Sequence, residues 1–103
     1  MSKDKSEVEV KLGDVVYSKA GRDANRHYIV MWINSPYIGI CDGDLHKTDK
    51  IKKKKVKHVK SMEYNSSYIH NKLSAGEKVT SSEIRRALDE YRAEQTGPEH
   101  EEG

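Results

Sequence analysis

Residues 27–33 read HYIVMWI, and the way this run must be covered decides the fold. Its apolar side chains fill both alternating positions, so a strand built from it has no face to leave in water. Such a strand is either covered on both sides or enclosed in a small barrel. Asn34, Ser35 and Pro36 interrupt the run, and YIGIC over 37–41 resumes it with Ile38 and Ile40 on one face at period two. A hairpin is expected there. Upstream, Gly13 and Asp14 give a turn signal, after which Val15, Val16 and Tyr17 supply the β-branched and aromatic residues of a first strand over roughly 14–19. Downstream, Asp42-Gly43 is a dipeptide favoured in two-residue hairpin turns and predicts a short return strand over 45–48. Val56 and Val59, apolar residues inside a lysine-rich stretch, predict a closing strand over 55–60. Short strands with turn signals at this spacing indicate a small closed or partly closed antiparallel barrel.

The last third of the chain changes period. Asn65 and Ser66 can cap a helix that runs to about Leu73 and stops at Gly76. Thr80 with Glu83 forms a capping-box pair, and Ile84, Ala87, Leu88 and Tyr91 follow at i, i+3, i+4 and i+7. That stripe is expected to pack on the barrel or, through Ile69 and Leu73, on the first helix. The predicted class is therefore mainly β with α: a small antiparallel β-barrel followed by two short C-terminal helices. Residues 1–9 form a flexible lead, 10–61 the barrel, 62–95 the helical extension, and 96–103 an acidic tail released at Gly97 and Pro98.

Apolar residues make up 34% of the 103 positions and charged residues 35%, enough for a single core with long solvated stretches beside it. The net charge of +2 conceals a separation of sign along the chain. Lys47, Lys50, Lys52, Lys53, Lys54, Lys55, Lys57 and Lys60 crowd into fourteen positions, 47–60, with Asp49 as the lone acid. From Asp89 onward the balance turns acidic. Cys41 is the single cysteine, which excludes a disulfide framework and a thiolate-rich zinc site, and a reducing cytoplasmic setting fits it. The N-terminus lacks the apolar run of a secretion signal, and no stretch of about 18 consecutive apolar residues offers a membrane span.

Closely spaced ammonium groups repel one another unless a polyanion neutralises them, and RNA is the polyanion this run best suits. A solvated charged strand is the bland alternative. A second basic cluster, Lys19, Arg22 and Arg26 with Asn25 among them, lies in the loop after the first strand, and a barrel can bring that loop beside the lysines. The arginines suit positioning, since guanidinium binds phosphate bidentately, while the lysines and the intervening His58 act as contacts that supply affinity. Of the aromatic residues, Tyr28, Trp32 and Tyr37 are expected mainly in the core, because the chain has no Phe to fill that volume. Tyr37, beside Pro36, is the best candidate to stack on a base. Cys41, Asp42, Asp44 and His46 form a tight group with metal-ligating atoms, but turn duties explain the aspartates and no distant ligands complete a set. The sequence carries no P-loop, dinucleotide fingerprint, Ser-His-Asp order or paired catalytic carboxylates. A non-enzymatic protein without a cofactor is expected.

At GDVVYSKAGRDANRHYIV, residues 13–30, the chain resembles the KOW motif of translation and transcription proteins through Gly13, Val15, Val16, Gly21 and Val30. The continuation CDGDLHKTDKIKKKKVKH is similar to large-subunit ribosomal proteins of the L-fourteen-e type, so that the resemblance covers residues 12–60. It implies an SH3-like barrel whose first loop contacts RNA, with Lys19, Arg22 and Arg26 facing it. Ribosomal or other translation-associated RNA is the expected ligand, with ribosomal or transcription proteins as further partners; because KOW domains also bind proteins, the alternative is a protein-interaction module of the transcription or translation machinery. Where the family pattern has Lys-Gly, this chain has Ala24 and Asn25. One cation is lost, but Asn tolerates the left-handed conformation that Gly would adopt.

Overall fold

The computed structural model describes residues 9–19, 21, 24–44 and 48–95. Five strands come first: β1 (Asp14–Ser18), β2 (His27–Asn34), β3 (Tyr37–Cys41), β4 (Lys52–Lys55) and β5 (Val59–Asn65), with a 3-10 turn (Val56–His58) between the last two. Two helices follow, α1 (Ser67–Ser74) and α2 (Ser81–Gln95). All strand pairs are antiparallel and the sheet order is β4-β3-β2-β1-β5, a small barrel-like β domain followed by helices, as the sequence indicates.

Strand β2 lies at the middle of the sheet, and both of its faces are buried. Tyr28 and Val30 join Val16, Ile38, Ile40 and Val59 in one cluster, the barrel interior. Ile29 and Met31 point the other way with Val15 and Cys41, against Ile69 of α1 and the Ile84, Ala87, Leu88 and Tyr91 stripe of α2. The helices are thus a lid on the outer face of the sheet, and the stripe is consumed by the protein's own core. Strand β2 also bulges. Val30 pairs with Ile40 but Trp32 with Gly39, so Met31 is the extra residue and Trp32 lands on the outer face instead of joining Val30 inside.

The helix ends follow their sequence signals. The Ser66 hydroxyl accepts the Ile69 N–H at 3.3 Å, and α1 closes with Gly76 N–H on the Leu73 carbonyl and Glu77 N–H on Lys72, the paired bonds of a Schellman ending. In α2 the capping box is complete: Thr80 N–H donates to Glu83 Oε1 at 2.9 Å and Glu83 N–H to Thr80 Oγ1 at 3.2 Å. Among the described residues no helix is long and apolar enough to cross a membrane.

Two expectations about the strands need correction. The return strand expected over 45–48 does not close a two-residue hairpin: residues 45–47 lie outside the described residues, Thr48 sits in a turn, and the strand that pairs with β3 begins at Lys52. Asp42-Gly43 has a different task. The first turn of α2 packs directly on it, with a Cβ on Gly43 blocked by the Ser81 carbonyl, and Arg85 Nη1 donating to the Gly43 carbonyl at 2.6 Å. The closing strand expected over 55–60 begins only at Val59 and runs to Asn65. Val56 and Val59 both pack on the barrel interior, and a spacing of three puts two residues on one side of a 3-10 turn but on opposite faces of a strand.

Candidate nucleic-acid interface

Strand β4 is four consecutive lysines at one edge of the sheet. Alternation divides them: Lys52 and Lys54 stand opposite Ile40 and Ile38 on the interior side, Lys53 and Lys55 opposite Gly39 and Tyr37 on the outer side. Lys53 and Lys55 are exposed, and Lys52 is exposed as well because it begins the strand. Lys54 is not. Only 8% of its surface is open, so it belongs to the barrel wall and not to the exposed basic face expected from the sequence. Its four-carbon stem suits that position, since a lysine can bury its chain along apolar surface while the head seeks a polar partner.

Beyond β4, Lys57 and Lys60 are exposed and His58 is half-buried, while Lys50 is exposed just before the strand. The first loop meets this segment through the backbone: Lys19 N–H donates to the His58 carbonyl at 2.9 Å. At the other end of the 3-10 turn, Val56 N–H donates to the Pro36 carbonyl at 2.9 Å, tying the segment to the β2–β3 hairpin. Lys55, Lys57, His58, Lys60 and Lys19 therefore occupy one connected stretch of surface backbone. Arg22 and Lys47 lie outside the described residues.

Arg26 turns away from this band. Its guanidinium is 3.6 Å from the buried Asp42 carboxylate and lines a cleft against α2, where Arg26, Arg85 and Arg92 face Asp42, Asp44 and Asp89. Three positive and three negative groups leave that cleft without net charge. Asn25 has φ 67°, the left-handed conformation its sequence position requires, and its side-chain oxygen accepts the Tyr17 hydroxyl at 2.9 Å. It shapes the loop.

The outer face of β2, β3 and β4 sets Tyr37, the stacking candidate of the sequence, beside Trp32, Gly39 and Lys53, a grouping that depends on strand register. The Trp32 indole lies so closely over Gly39 that a Cβ there would enter the ring, and Gly39 is in turn paired with Lys53. Lys53 Nζ stands 4.7 Å from the centroid of the Tyr37 ring. A glycine inside a strand is the available signal for such a close approach. Tyr28 is wholly buried in the interior, whereas Trp32 and Tyr37 are each half-buried. A second aromatic series, Tyr17, His27, Tyr91 and Tyr64, joins the sheet to α2 at centroid distances of 5.2, 5.3 and 5.2 Å. Burial, reinforced by Arg92, holds His27 below the usual imidazole range.

The group considered for metal binding has other partners. Asp42 Oδ1 accepts the Asp44 N–H at 3.0 Å, and burial together with the Asp42 carboxylate pushes the Cys41 thiol up to about 12. His46 lies outside the described residues, among which no three His, Cys, Asp or Glu side chains cluster as a metal site would require. In comparisons with known proteins, the chain matches no family model and no curated protein sequence.

Proposed function

We propose that this protein binds RNA without catalysing a reaction, through the phosphate backbone, by means of the lysine band on β4, the 3-10 turn and β5. The observation that carries this is the connection of that band to the first loop through the Lys19–His58 backbone bond, which gathers cations from distant sequence positions onto one stretch of surface. The resemblance of residues 12–60 to KOW proteins points to the same ligand, with ribosomal or other translation-associated RNA as the class. A cytoplasmic setting fits the single buried thiol of Cys41.

Salt dependence tests the proposal. With Lys53, Lys55, Lys57 and Lys60 each neutralising a phosphate, the log–log slope of affinity against salt is about −3.6 on an RNA duplex, taking about 0.9 per contact as for DNA. Replacing Lys53, Lys55 and Lys57 by Gln should remove about 0.9 of slope per lysine, while Lys54→Gln should leave the slope alone and lower thermal stability instead. Affinity indifferent to salt, or a slope that falls as much with Lys54→Gln as with an exposed lysine, refutes it.

A further inference from the structure

We infer that the outer face formed by Trp32, Gly39, Tyr37 and Lys53 takes unpaired RNA bases, so that the protein favours single-stranded over duplex segments. This rests on the RNA-binding reading and adds what is recognised.

The β2 bulge turns Trp32 to the outer face of the sheet, where it is half-buried at the margin of the cluster shared with the helices, and Gly39 opposite it leaves room for the indole to lie close on the sheet. Tyr37 stands two residues from Gly39 on the same face of β3, and Lys53 and Lys55 flank both from the neighbouring strand. Two half-buried rings beside exposed ammonium groups form a stacking platform with its own charge neutralisation. In the free protein Lys53 occupies the Tyr37 ring as a cation–π contact. That contact is weak at an exposed site, and a base stacking on the ring outweighs it and sends the ammonium group to the adjoining phosphate. Duplex RNA keeps its base faces stacked inside the helix and offers these rings nothing.

Trp32 is the only tryptophan in the chain, which makes it a reporter within the site itself. The full chain is titrated at low salt with a short oligouridylate and with an RNA duplex of equal length, recording both anisotropy of labelled RNA and Trp32 fluorescence. Quenching by the single strand but not by the duplex is expected. Tyr37→Ser should weaken single-strand binding about tenfold with duplex affinity retained, and Tyr37→Phe, which keeps the ring face, should behave as the parent. Tyr37→Leu, which keeps apolar volume, replaces Tyr37→Ser if circular dichroism shows the latter unfolded. Equal binding of both RNAs without quenching, or a Tyr37 variant that weakens both alike, overturns the platform but leaves the phosphate-binding reading standing. Failure of both RNAs to bind overturns both.

Discussion

Glu83 gathers three hydrogen-bond donors. The Tyr68 hydroxyl and the Lys72 ammonium group, at 2.9 Å, reach its Oε2, and Thr80 N–H reaches Oε1 at 2.9 Å. These hydrogen bonds, that of Tyr68 first, hold its carboxyl down at about 2 against an ordinary value of 4.5. A folded-state value below the unfolded one means that the contribution to stability is whole above pH 4.5 and is lost as pH falls from there toward about 2. Glu83→Gln should therefore flatten the dependence of Tm on pH in that window; curves for variant and parent that run parallel through it would exclude the linkage. Capping residues of this kind are legible in sequence because they act over three positions. Asn25 is legible for the same reason, its left-handed φ being a property of one residue in a short loop. Lys54 is not, since its burial follows from the pairing of Ile38 with it across the sheet and from nothing adjacent in the chain.

Among the elements, β4 had the least support from its own residues. Four lysines have poor strand propensity and no apolar alternation, so the strand forms because β3 presents a ladder for it to join. The 3-10 turn after it is the opposite case: Val56 and Val59 are good strand formers, yet their spacing of three brings both to the barrel interior only through a 3-10 turn. Position at the sheet edge gives the β4 lysines a further consequence. An edge strand displays unpaired N–H and C=O groups to other chains, and repulsion between lysines is one device that keeps such edges apart. Changing Lys53 and Lys55 together to Thr, which favours strands and carries no charge, should let the edge pair with a second copy. Sedimentation velocity should then reveal concentration-dependent association absent from the parent. A variant that stays monomeric across the whole range would mean that the lysines have no protective role and would leave ligand binding as their explanation.

At the scale of the whole molecule, the HYIVMWI run demanded cover on two sides, and the protein supplies it with a barrel interior on one and a helical lid on the other. What the run did not disclose is the bulge at Met31, because the loss of alternation depends on register with β3. The lid is more than an appendage: Ile84, Ala87, Leu88 and Tyr91 share one cluster with Val15, Ile29 and Cys41 of the sheet. Two layers that share a core have no reason to melt apart. Leu88, 1% exposed, sits within that cluster, and Leu88→Ala leaves a cavity between α2 and β2 at a cost of about 2–4 kcal/mol. For a domain near this size that lowers Tm by roughly 8–30 °C. Because the damaged contact joins both layers, the helical signal in far-ultraviolet circular dichroism and the fluorescence of Trp32 on the sheet should move to the lower temperature together. If the helical signal melts first while Trp32 keeps its native emission, the helices are a separable cap and the sheet folds without them.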